Sequence, residues 1–190
     1  GLQFLLEAYR ERFQTVQKLS TAERKRYFTA YSTNGTYTPV TPLLKSKWNQ
    51  HYPYNNNVGG YPTGCVATAT AQVMYHHKWP KKRPADYIKT EGDEAWKSDT
   101  YWWSDMEDTA NKMFSERSKQ AVGVLMRDIG NAVNMRYYYK GSDSNLQYAC
   151  NALRHQFDYT VRFLDKNFMP ANEFLKEVMQ EISNGYPVLV

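Results

Sequence analysis

The sequence predicts an α+β chain. Apolar residues recur at helical spacing in several segments, and two short apolar runs near the C-terminus, Tyr159–Leu164 and Pro187–Val190, read as strands. A charge-free stretch rich in Thr, Gly and Pro at 32–42 separates a helical N-terminal region from the rest. With 42% hydrophobic and 23% charged residues among 190, the composition is that of a folded chain with room for one sizeable core.

Taken in order, Leu2, Leu5, Leu6, Tyr9, Phe13 and Val16 trace one face of a helical region spanning 2–31, and Ser20-Thr21-Ala22-Glu23 has the form of a helix cap. Residues 43–63 are broken by Pro53, Asn55-Asn56-Asn57, Gly59-Gly60 and Pro62 and predict irregular chain. A helix then starts abruptly at Gly64-Cys65, runs without Gly or Pro to His77, and is stopped by Pro80. The Trp-rich stretch 84–104 is turn-like. Ala121, Val124, Leu125 and Ile129 predict a helix within 107–130 that Gly130 ends. Further helices are expected from about Asn145 to Phe157 and from Ala171 to Ser183.

Charge and cysteine usage exclude several classes. The net charge of +5 is dispersed, with mixed signs in Glu23-Arg24-Lys25-Arg26 and only a short run at Lys81-Lys82-Arg83, so no nucleic-acid partner is expected. No apolar run approaches the ~20 residues of a membrane span. Two cysteines make no disulfide framework, and zinc-ligand spacing is absent. Nothing in the sequence calls for a metal or an organic cofactor.

The chemistry-bearing segment is Pro62-Thr63-Gly64-Cys65-Val66-Ala67-Thr68-Ala69. A cysteine in the first turn of an apolar helix meets free backbone N–H groups and the positive end of the helix dipole, which favour the thiolate. The thiolate is the attacking form, so this is where a cysteine hydrolase needs its nucleophile. By position alone, a free cysteine is more often a small buried side chain. Cys150 is the contrast, flanked at helical spacing by Leu146, Ala149, Leu153 and Phe157, and it reads as core. About one loop upstream of Cys65, Gln50 carries an amide able to donate to an oxyanion beside the Cys65 N–H. Spacing alone makes that a weak signal.

The run from Gly64 through Gln72-Val73-Met74 to Trp79-Pro80 closely resembles the active-site helix of the bacterial C10 family, the streptopain- and interpain-like cysteine peptidases. The similarity extends to Pro42-Leu43-Leu44, Trp48-Asn49-Gln50, Pro53-Tyr54-Asn55, Leu125 to Gly130, Val133-Asn134-Met135, Gly141-Ser142 and Glu181 to Val188, so that it covers roughly residues 40–190. The resemblance implies a papain-like two-lobe α+β fold whose β lobe is incomplete in this chain. It implies Cys65 as nucleophile, Gln50 as oxyanion-hole glutamine, and a substrate-binding wall around Gly64, Val66, Met135, Tyr137, Gly141 and Ser142. It further implies a secreted or cell-surface bacterial endopeptidase made as a zymogen, acting on proteins or peptides with a hydrophobic residue one before the cleaved one.

Two departures qualify that picture. The family's general base is a His in a Gly-Gly-His-Ala type motif, and His51, His76, His77 and His155 all lie outside such a motif. His76 and His77 stand about three helical turns from Cys65, roughly 16–18 Å away, and adjacent helix positions do not face the same way to share a metal. The expectation is that the base lies beyond Val190, either on a C-terminal fragment of the same protein separated by a cut or on a part of the chain not included in this sequence. The other departure is N-terminal: residues 1–38 resemble the end of a propeptide plus linker, and residues 39–190 the first and middle parts of the catalytic domain. Two other classes remain open from sequence, a catalytically silent binding or inhibitory module and a papain-fold acyltransferase.

Overall fold

The structure, a computed structural model, describes residues 40–110 and 114–190. The chain divides into two units, Gly1–Val40 and Thr41–Val190, and apart from Val40 the described residues belong to the second. The expected helical region at 2–31 and the whole propeptide assignment at 1–38 lie outside the described residues.

Five α-helices follow one another among the described residues: α1 Cys65–His77, α2 Glu94–Lys97, α3 Glu116–Ala132, α4 Leu146–His155 and α5 Ala171–Ser183. α1 begins straight after Gly64 and closes on Lys78 in the left-handed conformation, whose N–H reaches the carbonyls of Met74 and Tyr75. α3 starts later than its periodicity suggests, because the Ser115 side chain accepts from the Ser118 N–H and caps the helix there. It also runs past Gly130. That glycine is a contact rather than a stop: a Cβ on it would lie 1.9 Å from the Tyr137 hydroxyl, so only glycine lets Tyr137 pack there. Asn145 caps α4 by accepting from the Tyr148 N–H.

α3 is the centre of the core. Val122, Leu125, Met126 and Ile129 are fully buried, with Ala67, Ala71 and Met74 of α1 and Ala149, Ala152 and Leu153 of α4 in the same cluster. Cys150 is buried in α4, as its spacing predicts. A buried ionic hub joins α3 to the irregular 78–110 region. Asp128 accepts from Arg83 Nε and the Tyr101 hydroxyl, at 3.0 and 3.1 Å, and from Arg127 Nε at 3.0 Å. The remaining Arg83 nitrogens donate to the carbonyls of Tyr87, Ala95, Trp96 and Ser98. Burial and the neighbouring Asp128 carboxylate push the Tyr101 hydroxyl well above the usual tyrosine pKa.

The expected strands do not form. Among the described residues regular backbone pairing outside helices is an isolated antiparallel bridge between Arg136 and Asp143. An apolar extended run becomes a strand only when a neighbour takes its N–H and C=O groups. Here the Tyr159 N–H goes to the Leu153 carbonyl at 2.9 Å, and the Val161 carbonyl accepts from Arg154 Nε at 2.9 Å. Nearby α5 buries none of its residues fully, although Phe174, Val178, Met179 and Ile182 are half-buried. Arg162 ties this helix to the 159–164 segment through Glu177 and Glu181. No helix among the described residues is long and apolar enough to cross a membrane.

Candidate active site

Gly64 has φ 85° and ψ 142°, a conformation that L side chains rarely adopt, and it turns the chain directly into α1. Thr63 is fully buried, and its hydroxyl meets that of Thr68 at 2.7 Å while Thr68 Oγ1 donates to the Gly64 carbonyl at 2.9 Å. These bonds fix the entry to the helix without using its first N–H groups. No side chain caps α1, and no acidic residue lies in its first turn. Cys65 therefore sits exposed at the unscreened positive end of a 13-residue helix.

A cleft of about 370 Å3 opens beside it, lined by Trp48, Asn49, Gln50, His51, Cys65, Thr68, Ala69 and Gln72. Thus Cys65 and Gln50 share one cavity. The Gln50 carbonyl accepts from the Thr63 N–H at 3.0 Å, which fastens the glutamine's backbone two residues ahead of the cysteine. The segment before Gln50 is anchored by Trp48, whose indole donates to the Glu107 carbonyl at 2.7 Å and stacks on Tyr75 with ring centroids 4.7 Å apart.

The remaining sequence-derived residues form a neighbouring group. Met135 and Ser142 are buried against Gly64: a Cβ there would lie 2.5 Å from Met135 Sδ and 3.2 Å from the Ser142 carbonyl oxygen. Val66 is buried as the second residue of α1. Gly141 is exposed at the turn of the 135–142 loop. Tyr137 turns its hydroxyl onto α3, where it is buried without a partner, and burial pushes its pKa up to about 12. Tyr61 packs beside this group, with its ring 4.9 Å from that of Tyr139 and 6.4 Å from that of Tyr137.

His51 lines the cleft, whereas His76 and His77 lie at the far end of α1 with their rings 4.9 Å apart. His155 ends α4. No cluster of three or more His, Cys, Asp or Glu able to hold a metal occurs among the described residues. Sequence reasoning missed Thr68, Ala69 and Gln72 as cleft residues. The signal was there: they follow Cys65 by three, four and seven positions, which is one stripe of a helix.

What this arrangement offers chemically is an exposed thiol at a helix N-terminus with a side-chain amide in the same cavity, the layout of a thiol-dependent acyl-transfer site. The chain belongs to the peptidase C10 family, whose profile matches residues 48–190. It is 32% identical over 162 residues to a thiol protease/hemagglutinin of Porphyromonas gingivalis, a match covering 77% of this chain and 18% of that protein. It is 28% identical over 202 residues to streptopain of Streptococcus pyogenes, covering 87% of this chain and 50% of streptopain. The chain therefore spans half or less of the length of these relatives. Among solved structures it resembles active interpain A of Prevotella intermedia, with a TM-score of 0.66, 28% identity, and coverage of 77% of this chain and 67% of that one. A prointerpain A fragment superposes with a TM-score of 0.64 at 24% identity, over 86% of this chain and 61% of the fragment.

Proposed function

We propose that this chain is the nucleophile-bearing part of a secreted bacterial cysteine endopeptidase with a papain-like fold, made as a zymogen. The observation that carries the reading is the common cleft of Cys65 and Gln50 at the N-terminus of α1. In it the Cys65 thiolate attacks a peptide carbonyl carbon. The Cys65 N–H and the Gln50 amide donate to the tetrahedral oxyanion. The C–N bond breaks as a histidine protonates the leaving amine, and water then hydrolyses the thioester and restores the thiol. Gly64, Val66, Met135, Tyr137, Gly141 and Ser142 form the substrate wall, with the preference for a hydrophobic residue one before the cleaved one.

His76, His77 and His155 are carried away from Cys65 on their helices, and His51, although it lines the cleft, does not carry the proton in this reading; the base is a histidine on a C-terminal part of the same protein. Residues 1–38 act as the end of the propeptide, removed by a cut near 32–41.

Labelling tests the site. An epoxysuccinyl peptide or iodoacetamide, applied to the native protein well below the free-thiol pKa of ~8.5 and mapped by mass spectrometry, should modify Cys65 in strong preference to Cys150. Slow labelling of Cys65, no faster than that of an unactivated thiol, would overturn the reading. Sequencing of the active enzyme's N-terminus tests the propeptide assignment, and retention of Phe4 would refute it.

A further inference from the structure

We infer that Gln72 is a positioning residue for the oxyanion donor Gln50, an inference that rests on the peptidase reading above. Gln72 follows Cys65 by seven positions on α1 and therefore lies on the same side of the helix, two turns along the cleft. Its Oε1 accepts two bonds from one short segment: from Ser46 Oγ at 3.1 Å and from the Trp48 N–H at 3.4 Å. Two residues later that segment reaches Gln50, whose own carbonyl is held by the Thr63 N–H.

The segment bearing the oxyanion donor is thus tied to the chain bearing the nucleophile at two points. One is immediately ahead of Cys65, through Thr63, and the other two helical turns beyond it, through Gln72. The bond at Thr63 fixes the segment at one end, next to the nucleophile. The bonds to Gln72 fix its register along α1 and so set the direction from which the Gln50 amide enters the cleft. The segment's other hydrogen bonds run to a different part of the chain: the Lys47 N–H donates to the Asp108 carbonyl at 2.7 Å, and the Trp48 indole to that of Glu107. They hold the segment down but do not refer it to α1. Gln72 and Thr63 are the hydrogen-bonded references to the nucleophile's chain, and they act beside the Trp48 ring, which packs on Tyr75 of α1 with centroids 4.7 Å apart.

Preorganised donors stabilise an oxyanion only when aimed at where the charge develops, and removing one costs about 10²–10³ in kcat. Misaiming a retained donor costs part of that, about tenfold. Because Oε1 is an acceptor in both bonds, glutamate at this position keeps them and methionine, of similar length, loses them.

The test compares Gln72→Met, Gln72→Glu and Gln50→Ala in the mature protein, with kcat and KM on a peptide substrate and the rate of Cys65 alkylation by iodoacetamide. Alkylation forms no oxyanion. Gln72→Met should lower kcat about tenfold, leave KM and the alkylation rate within about twofold, and weaken inhibition by a peptide aldehyde, whose hemithioacetal needs the oxyanion donors. Gln72→Glu should recover at least about a third of the wild-type kcat.

If Gln72→Met keeps the wild-type kcat, or if it slows alkylation as much as turnover, the positioning role is overturned. A Gln72→Glu variant as slow as Gln72→Met would overturn it too. The two readings fail distinguishably. Gln50→Ala with wild-type kcat would remove the oxyanion assignment itself, whereas a slow Gln50→Ala beside a fast Gln72→Met removes only the role of Gln72.

Discussion

Replacing Gly64 by alanine probes the junction between the nucleophile and the wall beside it. Two costs can be worked from the geometry. The backbone at φ 85°, ψ 142° lies in a region nearly reserved for glycine, and holding an alanine there costs about 2 kcal/mol. The new Cβ would also lie 2.5 Å from Met135 Sδ and 2.6 Å from its Cε, and 3.2 Å from the backbone oxygen of Ser142. The methionine tip is flexible but 9% exposed, so it has little free space to move into, and repacking it costs about 1 kcal/mol. The sum, about 3 kcal/mol, corresponds to a drop of about 6–12 °C in Tm for a chain of this size. Thermal unfolding followed by circular dichroism reads it. A double-mutant cycle with Met135→Ala separates the two parts. The double variant should be about 1 kcal/mol more stable than additivity requires, because the smaller side chain removes the clash and leaves the backbone strain. A Gly64→Ala protein within 2 °C of wild type, or a strictly additive cycle, would refute the reasoning.

Asp128→Asn should destabilise by about 3–5 kcal/mol in urea titration, since it leaves Arg83 and Arg127 buried without their carboxylate. Tyr137→Phe should be neutral or stabilising by up to about 1 kcal/mol at pH 7, because it removes a buried hydroxyl that has no partner. The same variant has a pH signature. The Tyr137 pKa is raised from 10 to about 12 in the folded state, so the unfolded chain loses its proton first. The contribution is intact below pH 10 and is lost as pH rises through 10 towards 12, and Tyr137→Phe should unfold less readily in that window. His51→Ala should keep kcat within about threefold, because in the proposed reading it lines the cleft without carrying the proton; loss on the scale of a missing general base, about 10²–10⁴, would make His51 that base.

The helices were largely legible. α5 runs over Ala171–Ser183 as its periodicity predicts, and α4 begins one residue after the expected Asn145 because that asparagine is its cap. The abrupt start of α1 was readable from Gly64 and from the absence of breakers up to His77. What escaped depends on partners distant in the chain. Whether 159–164 pairs as a strand depends on a neighbouring edge, and no periodicity within the segment reports one. Gly130 looked like a helix stop because its reason, Tyr137, approaches from outside the helix. Arg83 and Asp128 stand 45 positions apart and gave no local sign that they meet. At the site, the family's run of residues pointed to Cys65 and Gln50, and the structure places the two in one cleft. Gln72 stood in that same run, but its two bonds to 46–48 follow from the chain's return to the helix, which spacing alone does not report.

The Arg83 hub has a consequence for where this chain can change length. Between α1 and α3 the chain has little regular pairing of its own, yet four of its carbonyls, those of Tyr87, Ala95, Trp96 and Ser98, converge on one guanidinium. That side chain does for the loop what an adjacent strand would do, from a single point. Lys89 closes the loop's neck by donating to the Trp96 carbonyl at 2.9 Å, while Glu91, Gly92 and Asp93 lie exposed beyond it. Residues can therefore be inserted at 91–92, ahead of Asp93, whose carbonyl accepts from the Trp96 and Lys97 N–H groups and opens α2, whereas a single-residue deletion between Ala95 and Ser98 shifts the guanidinium's partners out of register.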